Sequence, residues 1–465
     1  MTKLAILGAG PGGYVAALKA AQSGASVALI EDYEAGGTCL HWGCIPTKTL
    51  VATAEVLKKV KESSAFGIDI GGGTIKPDIN KIMERKNKVV STQTKGIHGL
   101  LKSWGVEFIH GRGKFTGPKT IEVTLKAGGT RTVEAEKVII ATGSRPAQIP
   151  TFPFDKKRIL SSDDALQLTE IPKSLLIIGA GVIGCEYAFI FNELGSQITM
   201  VEMMPRALAT VDEEIAAILQ REIKKNKITL ITGTTVDKID VRDDGVTATL
   251  SNGKTVETDK VLVSIGRSFN TDNIGLDAAG VQTGRRGEIL VNAKMETSQD
   301  GVYAIGDCIG GIMLAHVASS EGIVAVGNAL SGGSGCQMNY NVVPYGIFTI
   351  PELGCVGLTE KEAQDKGFSV RIGRFQYRGL GKAHAMGEIT GMVKIVADTG
   401  TDNILGAHII GAHASDMIHE LAVAMQHGLT VMDIAHTIHS HPTLSEAILE
   451  AAEDVHGRAV HSPKK

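Results

Sequence analysis

The chain has 465 residues, 43% of them hydrophobic, with a formal net charge of −3 and a pI near 6.5. Such a length supplies core for three or four domains, while the absence of a basic run with interleaved aromatics argues against a nucleic-acid partner. No apolar stretch approaches the roughly eighteen residues of a membrane span, and six cysteines are too few for a secreted disulfide scaffold, so a reducing, cytoplasmic compartment is expected.

The first predicted element is a strand, Leu4 to Leu7, running into Gly8-Ala-Gly-Pro-Gly-Gly13. Lys3 and the apolar run after it superficially resemble a secretory signal, but glycines 8, 10, 12 and 13 interrupt the run, and cleavage there would destroy the turn. A helix follows, Gly24 ends it, and a second strand ends in Glu31. The pattern is that of a dinucleotide turn. Gly8 permits the tight bend, Gly10 lets backbone approach a pyrophosphate, Gly13 allows close helix packing, and Glu31 can accept hydrogen bonds from ribose hydroxyls. One Gly-x-Gly-x-x-Gly is a weak signal, but the whole unit recurs at an offset of 171: strand Leu175 to Ile178, Gly179, Gly181, Gly184, then Gly195 and Glu202. Two Rossmann-type units binding two different dinucleotides are therefore expected.

Between the copies lies Gly36-Gly-Thr-Cys-Leu-His-Trp-Gly-Cys-Ile-Pro-Thr-Lys48. A disulfide between Cys39 and Cys44 would close a very small ring and contribute little to stability, so the pair reads as an electron carrier rather than a staple. Its position just after the first turn assigns a flavin to the first site. Met200-Val-Glu-Met-Met204 carries no cation beside Glu202 to neutralise a 2′-phosphate, which favours NAD over NADP at the second. Arg206 reads as a surface or salt-bridge residue. Trp42 either shapes a substrate channel or packs.

Two apolar strands run into matching glycine turns, Lys137-Val-Ile-Ile-Ala-Thr-Gly-Ser-Arg145 and Lys260-Val-Leu-Val-Ser-Ile-Gly-Arg267. They divide the chain into a flavin domain (1–145, resuming at 271–340), an inserted NAD domain (146–270) entered through a proline-rich linker, and a last unit (341–465). Val302 to Asp307 reads as a further buried strand whose terminal carboxylate either binds the flavin's ribityl chain or caps a helix.

The last unit is histidine-rich, with seven between His408 and His441. They spread over a predicted strand, turn and helix without cysteine partners, so no metal site is expected. His441 opens His441-Pro-Thr-Leu-Ser-Glu446, an imidazole with a carboxylate to fix its tautomer and raise its basicity, which suits a base acting on a thiol. The same stretch also reads as a helix start capped by Thr443 or Ser445.

The cysteine motif, His-Pro-Thr-Leu-Ser-Glu, the paired turns, Tyr303-Ala-Ile-Gly-Asp307 and Met313-Leu-Ala-His316 together resemble the pyridine nucleotide-disulfide oxidoreductases, and in particular their lipoamide branch, over essentially the whole length. The resemblance implies an α/β protein with FAD and NAD domains and a C-terminal α+β dimerisation domain. It implies oxidation of protein-bound dihydrolipoyl groups with reduction of NAD+, Cys39 exchanging with substrate and Cys44 facing the flavin. His441 and Glu446 would act as the acid–base pair, contributed by the second subunit of a homodimer. Lys48, Thr142, Gly143, Asp307 and Ala315 would join Gly8, Gly10, Gly13 and Glu31 at FAD. Gly179, Gly181, Gly184, Glu186, Glu202 and Gly266 would serve NAD, with Glu186 also paired to Lys48. The implied partner is the lipoyl-bearing acyltransferase of a 2-oxo acid dehydrogenase complex or the glycine-cleavage lipoyl carrier. Mercuric reductases need a C-terminal cysteine pair, and no cysteine follows Cys355; glutathione-type enzymes want basic residues near Glu202; thioredoxin-type enzymes place the cysteines in the NAD domain. A non-catalytic scaffold is disfavoured by the intact Cys39, Cys44, His441 and Glu446.

Overall fold

The structure, a computed structural model, describes residues 2–463 apart from 72, 74 and 331–334. The first lobe opens with β1 (Thr2–Leu7), α1 (Pro11–Gln22) and β2 (Val27–Glu31). The short α2 (Gly37–His41), then α3 (Cys44–Lys61), α4 (Ile79–Ser103), β3 (Glu107–Gly117), β4 (Thr120–Leu125) and β5 (Thr130–Ile140) follow. Leu4, Ala5, Ile6 and Leu7 are all buried, the outcome for a continuous apolar run in a parallel sheet covered on both faces. β1 lies between β2 and β5, β3 extends the sheet beyond β2, and β3, β4 and β5 also form an antiparallel meander.

The chain passes through β6 (Ser144–Pro146), β7 (Ile159–Leu160) and α5 (Ser162–Ala165) into a second copy of the same unit. This comprises β8 (Ser174–Ile178), α6 (Val182–Leu194), β9 (Gln197–Val201), α7 (Glu213–Lys225), β10 (Thr229–Ile231), the antiparallel β11 (Val236–Val241), β12 (Val246–Leu250) and β13 (Thr255–Thr258), and β14 (Lys260–Val263). Its parallel sheet runs β10-β9-β8-β14-β7, so β8 sits between β9 and β14 as β1 sits between β2 and β5. One steric requirement recurs in both copies. Gly8 and Gly179 have φ of +104° and +99°, and a Cβ on Gly13 or Gly184 would lie 1.9 or 2.0 Å from the carbonyl oxygen of Gly8 or Gly179. Any side chain there would push the helix off the turn that points its N–H groups at a ligand.

β15 (Arg267–Phe269) pairs antiparallel with β6, so the chain enters and leaves the second lobe through a two-stranded ribbon. After α8 (Leu276–Ala279), β16 (Val302–Ala304) returns to the first sheet beside β5. The strand expected as far as Asp307 ends at Ala304, and Asp307 lies in a 3₁₀ turn, Gly306–Ile309, where the positive φ of Gly306 breaks the extended run. α9 (Ala315–Leu330) packs closely on α1, Gly322 against the Gly12 carbonyl.

The last unit contains β17 (Tyr345–Ile347), β18 (Leu353–Gly357), α10 (Glu360–Asp365), β19 (Val370–Gln376), α11 (Gly381–Met386), β20 (Met392–Asp398) and β21 (Ile404–Ile410). Helices α12 (Ala414–Gln426), α13 (Val431–Ala435) and α14 (Glu446–Val455) follow. The sheet, β17-β18-β21-β20-β19, is antiparallel throughout, with α12 packed on β18 and β21 and α14 on β19 and β20. The architecture is two Rossmann-type units followed by an α+β unit, as expected. One apolar cluster joins Leu50 and Val51 of α3, Ile190 and Phe191 of α6, and Ile347 and Leu353 of the C-terminal sheet. The cysteine-bearing helix α3 is thereby wedged among all three units. Among the described residues no helix is long and apolar enough to cross a membrane.

Candidate active site

Cys39 lies in α2 and Cys44 is the first residue of α3, with Trp42 and Gly43 forming the reversal between them. Both are thiols and share a hydrogen bond. That bond lowers Cys44 to about 7, with the Lys48 ammonium acting in the same direction against burial, while the same bond and burial drive Cys39 far up. The N-terminus of α3 further favours charge on Cys44. The pair therefore ionises first at Cys44 and holds its remaining proton on Cys39. Lys48, one helical turn along α3, places Nζ 2.8 Å from both carboxylate oxygens of Glu186 on α6. The Phe348 N–H, from the turn between β17 and β18, donates to Glu186 Oε1 at 3.0 Å, and its ring lies 4.6 Å from Nζ. Nothing local in the sequence marks Phe348, which meets α6 only through the tertiary fold.

Cys39, Cys44, Lys48 and Glu186 line a cavity of about 500 Å³ together with Gly8, Gly10, Glu31, Thr142, Gly143, Asp307 and Ala315. Glu31 accepts from the Ala9 N–H at 2.7 Å and the Tyr33 N–H at 3.0 Å. Burial raises it to about 7, against those two donors. Trp42 packs on Tyr33, ring centroids 5.5 Å apart. The cavity fits a dinucleotide. Thr142 Oγ1 is buried without a hydrogen-bond partner, and a Cβ built on Gly143 would find no atom within 4 Å, so the backbone at Gly143 has open space for a ligand beside an unpartnered hydroxyl. Gly13 lies behind the turn and off the lining.

The second fingerprint has the same construction. Glu202 accepts from the Ala180 N–H at 2.6 Å and the Met204 N–H at 2.8 Å, matching Glu31. Gly181 and Gly266 have open space where a Cβ would stand, whereas Gly179 and Gly184 are in close contact with backbone. Arg206 donates to the carbonyls of Leu208 and Ala209, so its charge is tied to its own loop and does not reach Glu202. The first turn of α6, Val182 and Ile183, borders the Cys44 cavity, so the two nucleotide sites converge there.

His441 and Glu446 stand apart from that cavity. His441 Nδ1 lies 2.9 Å from Glu446 Oε1, and the other carboxylate oxygen accepts from the Thr443 N–H at 2.9 Å. Glu446 opens α14 and is held below the usual carboxylate range by the Thr443 N–H and His441, slight burial opposing them. The imidazole side chain is 76% exposed. A tautomer-fixed histidine thus stands on the C-terminal unit, outside the residues that line the Cys39 and Cys44 cavity.

Residues 2–322 match the family described as pyridine nucleotide-disulphide oxidoreductase, and residues 343–452 match that family's dimerisation domain. The chain belongs to this family. FAD and NAD are its cofactors, and Thr142, Gly143 and the two glycine turns fit them. Within the family it is 42% identical over 460 residues to a dihydrolipoyl dehydrogenase of Chlamydia muridarum, covering 98% of this chain and 97% of that one. It is 43% identical over 469 residues to a dihydrolipoyl dehydrogenase of Bacillus subtilis, covering 98% of each. Among solved structures, LpdA from Mycobacterium tuberculosis superposes with a TM-score of 0.91 at 31% identity, over 98% of this chain and 100% of that one.

Proposed function

We propose that the chain is an FAD- and NAD-dependent dihydrolipoyl dehydrogenase in which Cys39 and Cys44 alternate between disulfide and dithiol. The observation that carries the reading is the polarised thiol pair, Cys44 lowered and Cys39 raised, on the cavity where both nucleotide sites converge. Full-length relatives bearing that name give the substrate. In the forward direction a dihydrolipoyl thiolate attacks Sγ of Cys39 in the disulfide and expels Cys44 as the thiolate. The second substrate thiolate then displaces Cys39, forming the lipoyl disulfide and completing the enzyme dithiol. His441, oriented by Glu446 and supplied by a second copy of the chain, removes the substrate thiol protons in turn, passing one to Cys39 and releasing the other to solvent. Lys48 holds positive charge beside Cys44 throughout and is itself fixed by Glu186 and the Phe348 backbone. FAD supplies the two-electron centre between the dithiol and NAD+. The lipoyl group would arrive on the acyltransferase subunit of a 2-oxo acid dehydrogenase complex or on the glycine-cleavage carrier, in the cytoplasm.

Anaerobic addition of dihydrolipoamide followed by NAD+ tests the reading. Bleaching of the flavin absorbance by dihydrolipoamide, then its recovery as NADH appears, is expected. A flavin indifferent to dihydrolipoamide yet reduced by NADH would refute the substrate while leaving the cofactors in place.

A further inference from the structure

Arg267 follows Gly266 where the chain leaves the second lobe, and it opens β15. The ribbon register, Arg267↔Pro146 and Phe269↔Ser144, makes Arg267 and Ser144 diagonal neighbours on one face, within reach of a long side chain. Arg267 Nε donates to Ser144 Oγ at 2.6 Å, and Nη2 donates to the Ser144 carbonyl at 2.9 Å. Ser144 Oγ in turn donates to Asp307 Oδ2. A hydroxyl has one hydrogen. With Arg267 occupying an oxygen lone pair, that hydrogen is committed to Asp307, and Nε itself stands 3.7 Å from the same carboxylate oxygen. Asp307 Oδ1 is left without a protein donor among the described residues, on a side chain that lines the FAD cavity. From the other side the buried Glu321 of α9 accepts from the Gly306 N–H at 2.6 Å and from the Tyr340 hydroxyl at 2.6 Å, which fixes the backbone that carries Asp307.

We propose that Arg267, a residue of the second lobe's exit strand, is a positioning residue for FAD in the first lobe, acting through the Ser144 hydroxyl on Asp307. Asp307 is then oriented with one oxygen satisfied and the other presented to the cofactor's hydroxyls, and the contact ties the seating of the second lobe to the occupancy of the first. Charge-assisted bonds of this kind are sensitive to geometry, and the guanidinium supplies two parallel donors to one residue that a lysine would not.

The proposal rests on FAD binding in the first lobe, and its test reads binding rather than turnover. FAD dissociation constants are taken from the flavin fluorescence released on diluting purified full-length holoprotein. Arg267→Met is expected to weaken FAD by about ten- to a hundredfold, and Ser144→Ala to a similar extent. In an Asp307→Asn background Arg267→Met should add little further loss, because the relay then has no acceptor carboxylate to orient. An affinity within twofold of wild type for either single variant, or a loss undiminished in the Asp307→Asn background, would overturn the role. Where Arg267→Met does not fold, the comparison of Ser144→Ala alone and with Asp307→Asn decides in the same way. Failure of the wild-type protein to retain FAD at all would instead remove the cofactor assignment beneath the proposal.

Discussion

At Cys39 and Cys44 the fold creates an asymmetry that two cysteines in an unfolded chain lack. Cys44 gains a helix N-terminus, a thiol donor and the Lys48 charge, whereas Cys39 gains burial and the obligation to donate. In the reduced protein freed of FAD, a step of thiolate ultraviolet absorbance centred near pH 7 is therefore expected, with Cys44→Ser abolishing it and Cys39→Ala shifting it upward as the donor is lost. Persistence of the step in Cys44→Ser would assign the low-pKa thiol elsewhere. This part of the site was legible in sequence because its determinants are close together: Lys48 stands four positions after Cys44, and Glu446 five after His441. Phe348 was not legible, since its contribution to Glu186 is a backbone N–H, identical in every residue but proline, brought in from 162 positions away.

The duplicated strand–turn–helix shows the same contrast one scale up. Its first and third glycines are visible as a repeat because each answers a close backbone contact at the turn, and the spacing between turn and carboxylate is set by one helix and one strand. Substitution at these positions should accordingly be governed by local space. Gly184→Ala, whose Cβ would lie 2.0 Å from the Gly179 carbonyl, is expected to destabilise by about 1–3 kcal/mol and to raise the KM for NAD+ several-fold, since α6 must move off its turn. Gly96→Ala, on an exposed face of α4 with nothing within 4 Å of the new methyl, should instead stabilise by about 1 kcal/mol. Chemical-denaturation midpoints of the two variants read the opposite signs; equal signs would contradict the local account. Elements without such internal contacts leave a weaker signal in the sequence. The run through Asp307 looks like strand by hydrophobicity, yet only three residues, Val302–Ala304, pair with β5 before the chain turns to bring the carboxylate into the cavity.

For the whole molecule the question is what holds the second lobe and the C-terminal unit in register, given that His441 lies on that unit and away from the cysteines of its own chain. If the base comes from a second copy, inactive Cys44→Ser and His441→Gln chains, refolded together, should regain about a quarter of wild-type activity, because half the dimers are mixed and each mixed dimer has one complete site. No recovery on mixing would place the base in cis. The register itself rests on a feature that the sequence hides. Lys394, one polar residue inside the apolar β20, is 2% exposed and sits 2.9 Å from Asp212, 2.8 Å from Glu214 and 2.7 Å from Glu360, joining α7 of the second lobe to the C-terminal sheet and α10. Arg374 of β19 adds a second cation 2.6 Å from Glu214. Removing a buried partner leaves a buried charge, so Lys394→Met should cost about 3–5 kcal/mol through Asp212, which is as buried as the lysine. Glu214 should contribute to the acid limb. Hydrogen bonding to Arg374, then to Lys394, holds it at about 2 against burial, below the 4.5 of the unfolded chain. A depressed carboxylate stabilises the fold above its unfolded value and loses that contribution as pH falls toward its folded value. Wild-type stability should thus decline between about pH 4.5 and pH 2, and Glu214→Gln should flatten that decline while lowering stability at neutral pH. Urea midpoints measured across this range give the slope directly, and a Glu214→Gln slope as steep as wild type would show that other carboxylates carry the acid sensitivity of the joint.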